Sequence, residues 1–175
     1  MESLLKTRTS VTRTRSFAAT FLPDRFSWLM SLYTENHQRL TRLFAPHRLA
    51  VGEYVSSVGD GLDVRLSVQE RHPYTIELGL TYEVLDAATG NPSPSAQLRS
   101  YLDAHMTEAL HCQPGRALWQ VLGPLAPARN VLQHRLRMNA FLNRWLEYLA
   151  EQGHSLATLE RAADAPVASY RSAAA

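Results

Sequence analysis

The 175-residue sequence predicts an α+β fold, in which an antiparallel sheet of about four to five strands packs against an N-terminal helix and a long C-terminal helix. Near both ends of the chain, apolar residues recur every three or four positions, which is the spacing of an amphipathic helix. Between these segments, apolar and polar residues alternate, as in half-buried strands. The connections are short and no βαβ pattern occurs, so neighbouring strands are expected to be antiparallel.

Two long helices are defined by their end signals. Asp24 is a good N-cap for the first helix. Pro46 disfavours helical backbone at Ala45, the residue before it, and so predicts the end of this helix. Asn130 is the predicted N-cap of the second helix, and Gly153 suits a left-handed C-terminal cap. The predicted helices are therefore residues 25–43, the segment between Asn130 and Gly153, and a short last helix at 155–161.

The strand predictions follow the period-two runs. A turn dipeptide, Asp60-Gly61, separates the first two runs and predicts a hairpin. The run at 106–112 is also compatible with a helical turn. Residues 86–95, and the proline-rich stretch from Pro114 to Pro127, are loops by composition. The predicted strands run from Val51 to the turn, from Leu62 to Val68, and over residues 74–84, 97–102 and 106–112.

Length and composition predict one domain at 24–161, a disordered basic extension at 1–23 and a loose tail at 162–175. Eighteen basic and sixteen acidic residues give a formal charge of +2. This overall charge is too small to indicate a protein that binds nucleic acid or membranes through its net electrostatic field. Apolar runs are too short for a spanning helix. One cysteine, Cys112, excludes an internal disulfide and fits a cytoplasmic protein.

A polar strand face is the main candidate site. Arg99, Tyr101 and Asp103 alternate along one predicted strand, so their side chains should share a face. Such a row is either a satisfied structural network or the wall of a polar binding site. The candidate binding residues are Arg99, Tyr101, Asp103 and Glu108, with Glu70 and Tyr74 expected on a neighbouring strand.

Other constellations indicate no metal, cofactor or catalytic motif. His105 and His111 are six positions apart and Cys112 should point to the opposite face, so no close ligand pair for zinc is present. No phosphate loop occurs, because the glycines at 59–61 belong to a turn without a following helix. Asn36 and Asn139 fall on apolar helix faces, and each is expected to tie its helix to a strand end or loop backbone, with contact to a ligand as the alternative.

Several motifs follow one another along the chain in a recognisable order. They are Glu35-Asn36, Gly52-Glu53, Glu70 with Tyr74-Thr75, Arg99-Ser100-Tyr101-Leu102-Asp103-Ala104 with Glu108, and Asn139-Ala140-Phe141-Leu142-Asn143-Arg144-Trp145-Leu146. On these motifs the chain resembles the YqiB-like family of small soluble bacterial proteins, a domain of unknown function, from about Met30 to Gly153. The resemblance carries no established activity. At Gln133, His134 and Arg135 the family tends to have an acidic pair before a basic residue, so a role for a carboxylate there does not carry over.

These observations favour a cytosolic, non-enzymatic binding or accessory protein that presents the polar strand face to a protein or small-molecule partner. One alternative is a small enzyme that uses a carboxylate with Tyr101 or His105. A further alternative is nucleic-acid association through the basic residues 6–15 or the arginines of the long helix, Arg135, Arg137 and Arg144. The sequence fixes neither the partner nor an oligomeric state.

Overall fold

The computed structural model describes residues 24–59, 62–84, 90, 93–113 and 127–162. The main elements of these residues are α1 (Asp24–Phe44), β1 (Gly52–Ser56), β2 (Val64–Arg71), β3 (Thr75–Tyr82), β4 (Ser95–Tyr101), β5 (Met106–Gln113), α2 (Ala128–Glu151) and β6 (Leu159–Arg161). The six described strands form one antiparallel sheet in the order β5-β4-β3-β2-β1-β6. Strands β1 to β5 follow each other as neighbours, and α2 returns the chain so that β6 pairs with β1.

The helices cover one face of the sheet. Burial alternates along β2, β3 and β4, so that every second side chain enters the core and the others stay partly exposed. Burying a leucine side chain contributes roughly 1.5–3 kcal/mol, so this face supplies the main stabilisation. The centre of the core includes Leu66, Leu78, Leu98, Leu142 and Leu146, all fully buried.

A buried amide network links the two helices to each other and to the sheet. Asn36 Nδ2 donates to Asn139 Oδ1 at 3.4 Å, and Asn143 Nδ2 donates to Asn36 Oδ1 at 3.1 Å. Asn139 Oδ1 also accepts the backbone N–H of Ala109 at 2.8 Å, next to a β-bulge in β5. The expected tie to strand backbone is therefore present for Asn139, whereas Asn36 bonds to α2 rather than to a strand or loop. Together these bonds satisfy the buried amides.

The two ends of α2 can be compared with the capping residues predicted for them. The cap at Gly153 is confirmed: its φ is 93°, and the N–H of His154 reaches the carbonyl of Leu149 at 3.0 Å. The cap at Asn130 is wrong, because α2 starts two residues earlier, directly after Pro127. Proline suits a helix start, since its missing N–H needs no partner in the first turn.

The predicted last helix at 155–161 is wrong. Residues Leu156–Thr158 form a single 3-10 turn, and Leu159–Arg161 form β6. Pairing with β1 gives these backbone groups ladder hydrogen bonds, extended by the bond from Ala162 N to Glu53 O at 2.9 Å. The sheet thereby gains one strand more than predicted.

The remaining strand predictions match within a few residues, and the ambiguous segment at 106–112 is a strand, β5. The predicted loop at 86–95 ends one residue earlier than expected, because β4 begins at Ser95. The Asp60-Gly61 turn, most of that loop and residues 114–126 lie outside the described residues, as do the extension 1–23 and the tail beyond Ala162.

Candidate functional site

Glu108 is the centre of the polar cluster that the structure builds at the β4–β5 edge. It is 6% exposed although it lies on a strand at the edge of the sheet. Its Oε2 accepts from Arg135 Nη1 at 2.6 Å and from the Tyr33 hydroxyl at 3.3 Å. Its Oε1 accepts from the Tyr101 hydroxyl at 2.8 Å. Residues from α1, α2 and β4 thus satisfy both oxygens of one buried carboxylate.

The electrostatics of this cluster keep both phenols protonated. Burial raises the pKa of Tyr33, and the nearby Glu108 carboxylate raises it further, against the opposing effect of Arg135. Burial and the hydrogen bond to Glu108 likewise raise the pKa of Tyr101. Hydrogen bonding to Tyr33 raises the pKa of Arg135. The tyrosines therefore act as donors to the carboxylate, and neither is activated as a base.

A row of charged residues crosses four strands and ends at Glu108. Glu77 lies opposite Glu70 on β2 and opposite Arg99 on β4, and Arg99 in turn lies opposite Glu108 on β5. Arg99 Nη2 and Nε donate to Glu77 Oε1 at 2.6 and 3.1 Å. This pairing with Glu77, followed by Tyr101, raises the pKa of Arg99. We call Glu70, Glu77, Arg99 and Glu108 the charged row.

The structure brings only part of the predicted site together. Tyr101 and Glu108 bond to each other, and Arg99 and Glu70 lie in the charged row. Asp103 was expected to share the strand face and does not, because β4 ends at Tyr101 and Asp103 lies in the following turn. There its carboxylate accepts the N–H of Ala104 at 2.9 Å, a bond that stabilises the turn.

The two outlying residues of the predicted site are highly exposed. Glu70 contacts His72 at 3.4 Å, with 65% of its side chain exposed. Tyr74 is 67% exposed, and its backbone carbonyl accepts the N–H of Leu102 at 2.8 Å. They flank the cluster at the end of β2 and the start of β3, without contacting Glu108.

Sequence reasoning missed Tyr33, Arg135 and Glu77 as parts of the site. Tyr33 falls on the apolar face of α1, where its spacing indicates only a core residue, although a buried phenol needs a hydrogen-bond partner. Arg135 lies one helical turn before Asn139, on the flank that faces β5. Glu77 occupies a polar position of the predicted third strand. The alternation that placed Arg99 on one face could have placed Glu77 there as well, had strand register been known.

A second polar cluster lies between α1 and the β4–β5 hairpin. His37 Nδ1 is 3.2 Å from Ser100 Oγ and 3.3 Å from Thr107 Oγ1, and both hydroxyl residues are buried. Thr107 also donates to Ser100 at 2.9 Å. Burial, then His105 and His47, lower the pKa of His37, which favours its neutral form. Ser100 is 1% exposed, so this arrangement does not present an accessible nucleophile.

The sheet face away from the helices carries further paired polar side chains. Gln69 and Gln97 exchange reciprocal amide hydrogen bonds at 3.2 and 2.6 Å across β3. A methyl group on Gly79, the residue between them, would approach Gln69 Nε2 to 3.2 Å. Glycine therefore leaves room for the amide pair. We call this surface the open face; its other polar members include Glu53, Arg65, Ser67, Glu77, Arg99 and Tyr101.

Neither metal binding nor thiol chemistry has a site in the described part of the chain. No group of three or more His, Cys, Asp or Glu side chains among those residues could hold a metal ion. Burial raises the pKa of the Cys112 thiol to about 12, so the reactive thiolate is disfavoured. Among the described residues, neither helix is both long enough and apolar enough to cross a membrane.

Two surface cavities lie away from Glu108. One, of about 440 Å³, lies at the β1–β6 edge and is lined in part by Val55, Thr158 and Arg161. Another, of about 390 Å³, lies on α1 beside Met30 and Glu35. Neither includes a residue of the predicted site.

The comparisons with known proteins identify a family without an assigned activity. No curated protein and no solved structure gives a significant match to this chain. The model of one family, described as a protein of unknown function (DUF1249), matches residues 39–155, which is more than half of the chain and includes the charged row. The chain therefore belongs to the DUF1249 family.

Proposed function

We propose that this chain is a non-enzymatic binding or accessory protein whose open face binds a polar partner. The observation that carries the proposal is the charged row, where Glu77 and Arg99 pair on a sheet face that the helices leave uncovered. The side chains of Glu77 and Arg99 are 25% and 37% exposed, so a partner can reach them. Their backbone lies on central strands, which gives the partner a rigid, nearly fixed pattern of donors and acceptors.

Energetics support a binding role for these pairs more than a stabilising one. An ion pair at this exposure contributes about 0–1 kcal/mol to folding, because solvent screens the charges and the side chains lose entropy. Exchange of the Glu77–Arg99 bond for bonds to a partner therefore costs the fold little. In a complex, the partner would shield Glu77 and Arg99 from water. Hydrogen bonds from the partner to these charged groups would then fix its orientation and give specificity.

The closed pairing of Glu108 favours binding over the enzymatic alternative. A general acid or base must reach the proton that it transfers, directly or through one water molecule. Both Glu108 oxygens already accept hydrogen bonds from protein donors, Oε1 from the Tyr101 hydroxyl at 2.8 Å and Oε2 from Arg135 Nη1 at 2.6 Å. The function best supported for Glu108 is to hold Tyr101 and the β4–β5 edge in place beside Arg99 and Glu77.

The test is a capture experiment with the 175-residue chain and a Glu77→Ala/Arg99→Ala variant. Lysate of the source organism supplies the partner, and mass spectrometry identifies retained proteins and metabolites. Arg42→Ala/Glu151→Ala is the matched control, because it removes one charge of each sign from exposed helix positions. We expect a specific component to be lost with the open-face variant and kept by the control. Equal retention by a correctly folded open-face variant contradicts the proposal.

We also propose a closer family relationship and a cellular location for this chain. Within the family we assign the chain to the YqiB-like proteins, supported by the motif order from Glu35-Asn36 to Asn143-Arg144. We propose a bacterial cytoplasm as its location. A single buried thiol, Cys112, fits a reducing compartment and supports this assignment.

A further inference from the structure

One side of α2 alternates arginine with exposed aromatic rings. Arg137, Phe141, Arg144 and Tyr148 are spaced four, three and four residues apart, so they follow one line along the helix. Phe141 is 40% exposed and Tyr148 is 41% exposed, and both arginines are exposed. We call these four residues the α2 stripe. The helix needs none of them for its core contacts, which come from Leu142, Leu146 and Leu149 at zero exposure.

The aromatic part of the stripe is anchored to the core. The Phe141 ring lies 5.8 Å from the Trp145 ring, centroid to centroid, and Trp145 lies 5.4 Å from Tyr82 on β3. Trp145 is 5% exposed and Tyr82 is 8% exposed, so Phe141 rests against rigid partners. A ring held in this way loses little conformational freedom when a second flat group stacks on it.

Charge is segregated along the same helix. Between Ala128 and Arg144 the sequence has four arginines and no acidic residue. Arg135 is neutralised by Glu108, whereas Arg129, Arg137 and Arg144 form no ion pair with any described residue. Elsewhere, Arg39, Arg65 and Arg99 each contact a carboxylate. The stripe therefore combines uncompensated positive charge with exposed rings.

We propose that the α2 stripe binds single-stranded nucleic acid, with Arg137 and Arg144 on phosphates and Phe141 and Tyr148 stacked on bases. Arginine and aromatic residues each repeat after seven positions, about 10.5 Å along a helix, so the same pair of contacts occurs twice. Unpaired bases offer the flat faces that such rings need, and phosphates offer the negative charge. Bases in a duplex are already stacked on each other, so a duplex uses the arginines alone.

Fluorescence anisotropy with a labelled oligouridine tests this surface. The dependence of affinity on salt counts phosphate contacts: each contact contributes a slope of about −0.7 on single strands. Arg137→Gln/Arg144→Gln should therefore reduce the slope by about 1.4 in magnitude. Arg42→Gln/Arg48→Gln removes the same charge from exposed positions outside the stripe and should leave the slope unchanged.

The rings have a separate signature. Phe141→Leu/Tyr148→Leu keeps apolar bulk and charge, and it should weaken binding roughly fivefold or more for each ring while the salt slope stays the same. Phe26→Leu/Trp28→Leu changes two exposed rings on α1 and should have no effect. Thermal unfolding of each variant checks that the fold persists.

Four outcomes overturn the inference. They are no binding by the wild type at low salt, equal slopes for the two arginine variants, preference for anionic lipid vesicles over the oligonucleotide, and loss of binding only when Lys6, Arg8, Arg13 and Arg15 are changed to glutamine. The last outcome would assign binding to the N-terminal segment. None of these results bears on the open face, so the two proposals fail independently.

Discussion

The unequal exposure of Glu108 and Arg135 predicts an asymmetric response to substitution. The Glu108 side chain is 8% exposed, whereas that of Arg135 is 41% exposed. Arg135→Met keeps the aliphatic stem but leaves a buried carboxylate without its cation. Loss of one partner of a buried pair costs about 3–5 kcal/mol, and we expect the lower value, about 3 kcal/mol, because two tyrosine hydroxyls still donate. Glu108→Gln leaves the Arg135 guanidinium without its carboxylate, but water can reach that guanidinium. We therefore expect a smaller loss of folding stability, about 1–2 kcal/mol.

Urea denaturation of the two single variants and the double variant measures these values. At about 2–4 °C per kcal/mol for a domain of this size, Arg135→Met should also lower the Tm by about 6–12 °C. The double variant Glu108→Gln/Arg135→Met should be more stable than Arg135→Met alone, since it removes the uncompensated charge. A cost for Glu108→Gln that exceeds the cost of Arg135→Met would refute the reasoning, as would an Arg135→Met variant within 0.5 kcal/mol of the wild type, roughly the size of an ordinary surface substitution.

Three further substitutions test other contacts. Asn139→Ala removes the acceptor for Ala109 N–H and for Asn36, and it should cost about 2–4 kcal/mol in chemical denaturation; a cost below about 1 kcal/mol would show that water replaces the amide. Trp145→Ala, at a position that is 5% exposed, should cost about 3–5 kcal/mol, measured in the same way. The lowered pKa of His37 means that the unfolded chain binds a proton more readily, so stability should fall as pH drops below about 6.5. His37→Gln should reduce that dependence in unfolding curves between pH 7.5 and 5.5, and an unchanged dependence would contradict the assignment to His37.

Local patterns were sufficient to predict most elements of the fold. The two helices and five of the strands follow from residue spacing, because each element buries one face of its own sequence. Gly153 could be predicted as a cap because only a residue that tolerates positive φ ends a helix in this way. Asn36 and Asn139 could be predicted as structural ties because a buried amide requires partners.

What the sequence could not predict depends on long-range register. The short run Leu159–Arg161 carries no clear alternation, and only the free edge of β1 makes it a strand. The partners of Glu108 come from helices that are 75 residues before it and 27 residues after it. Glu77 faces Arg99 only because β3 and β4 pair in one particular register. Asp103 does not share the face of Arg99 and Tyr101 for a local reason, since β4 ends at Tyr101, two residues before it.

The amide link between the helices has a consequence for synthesis on the ribosome. Asn36 and Asn139 are 103 residues apart in the chain, yet their side chains meet in the core. At about 5–20 residues per second, α1 leaves the ribosome roughly 5–20 s before its partner helix is made. During that interval its apolar side has no complete core to enter. The side-chain amide of Asn36 disfavours non-native association of the apolar face of α1, because a wrong apolar contact would bury this amide without a hydrogen bond. This one buried polar residue therefore disfavours packing of α1 against other apolar surfaces before α2 has been synthesised.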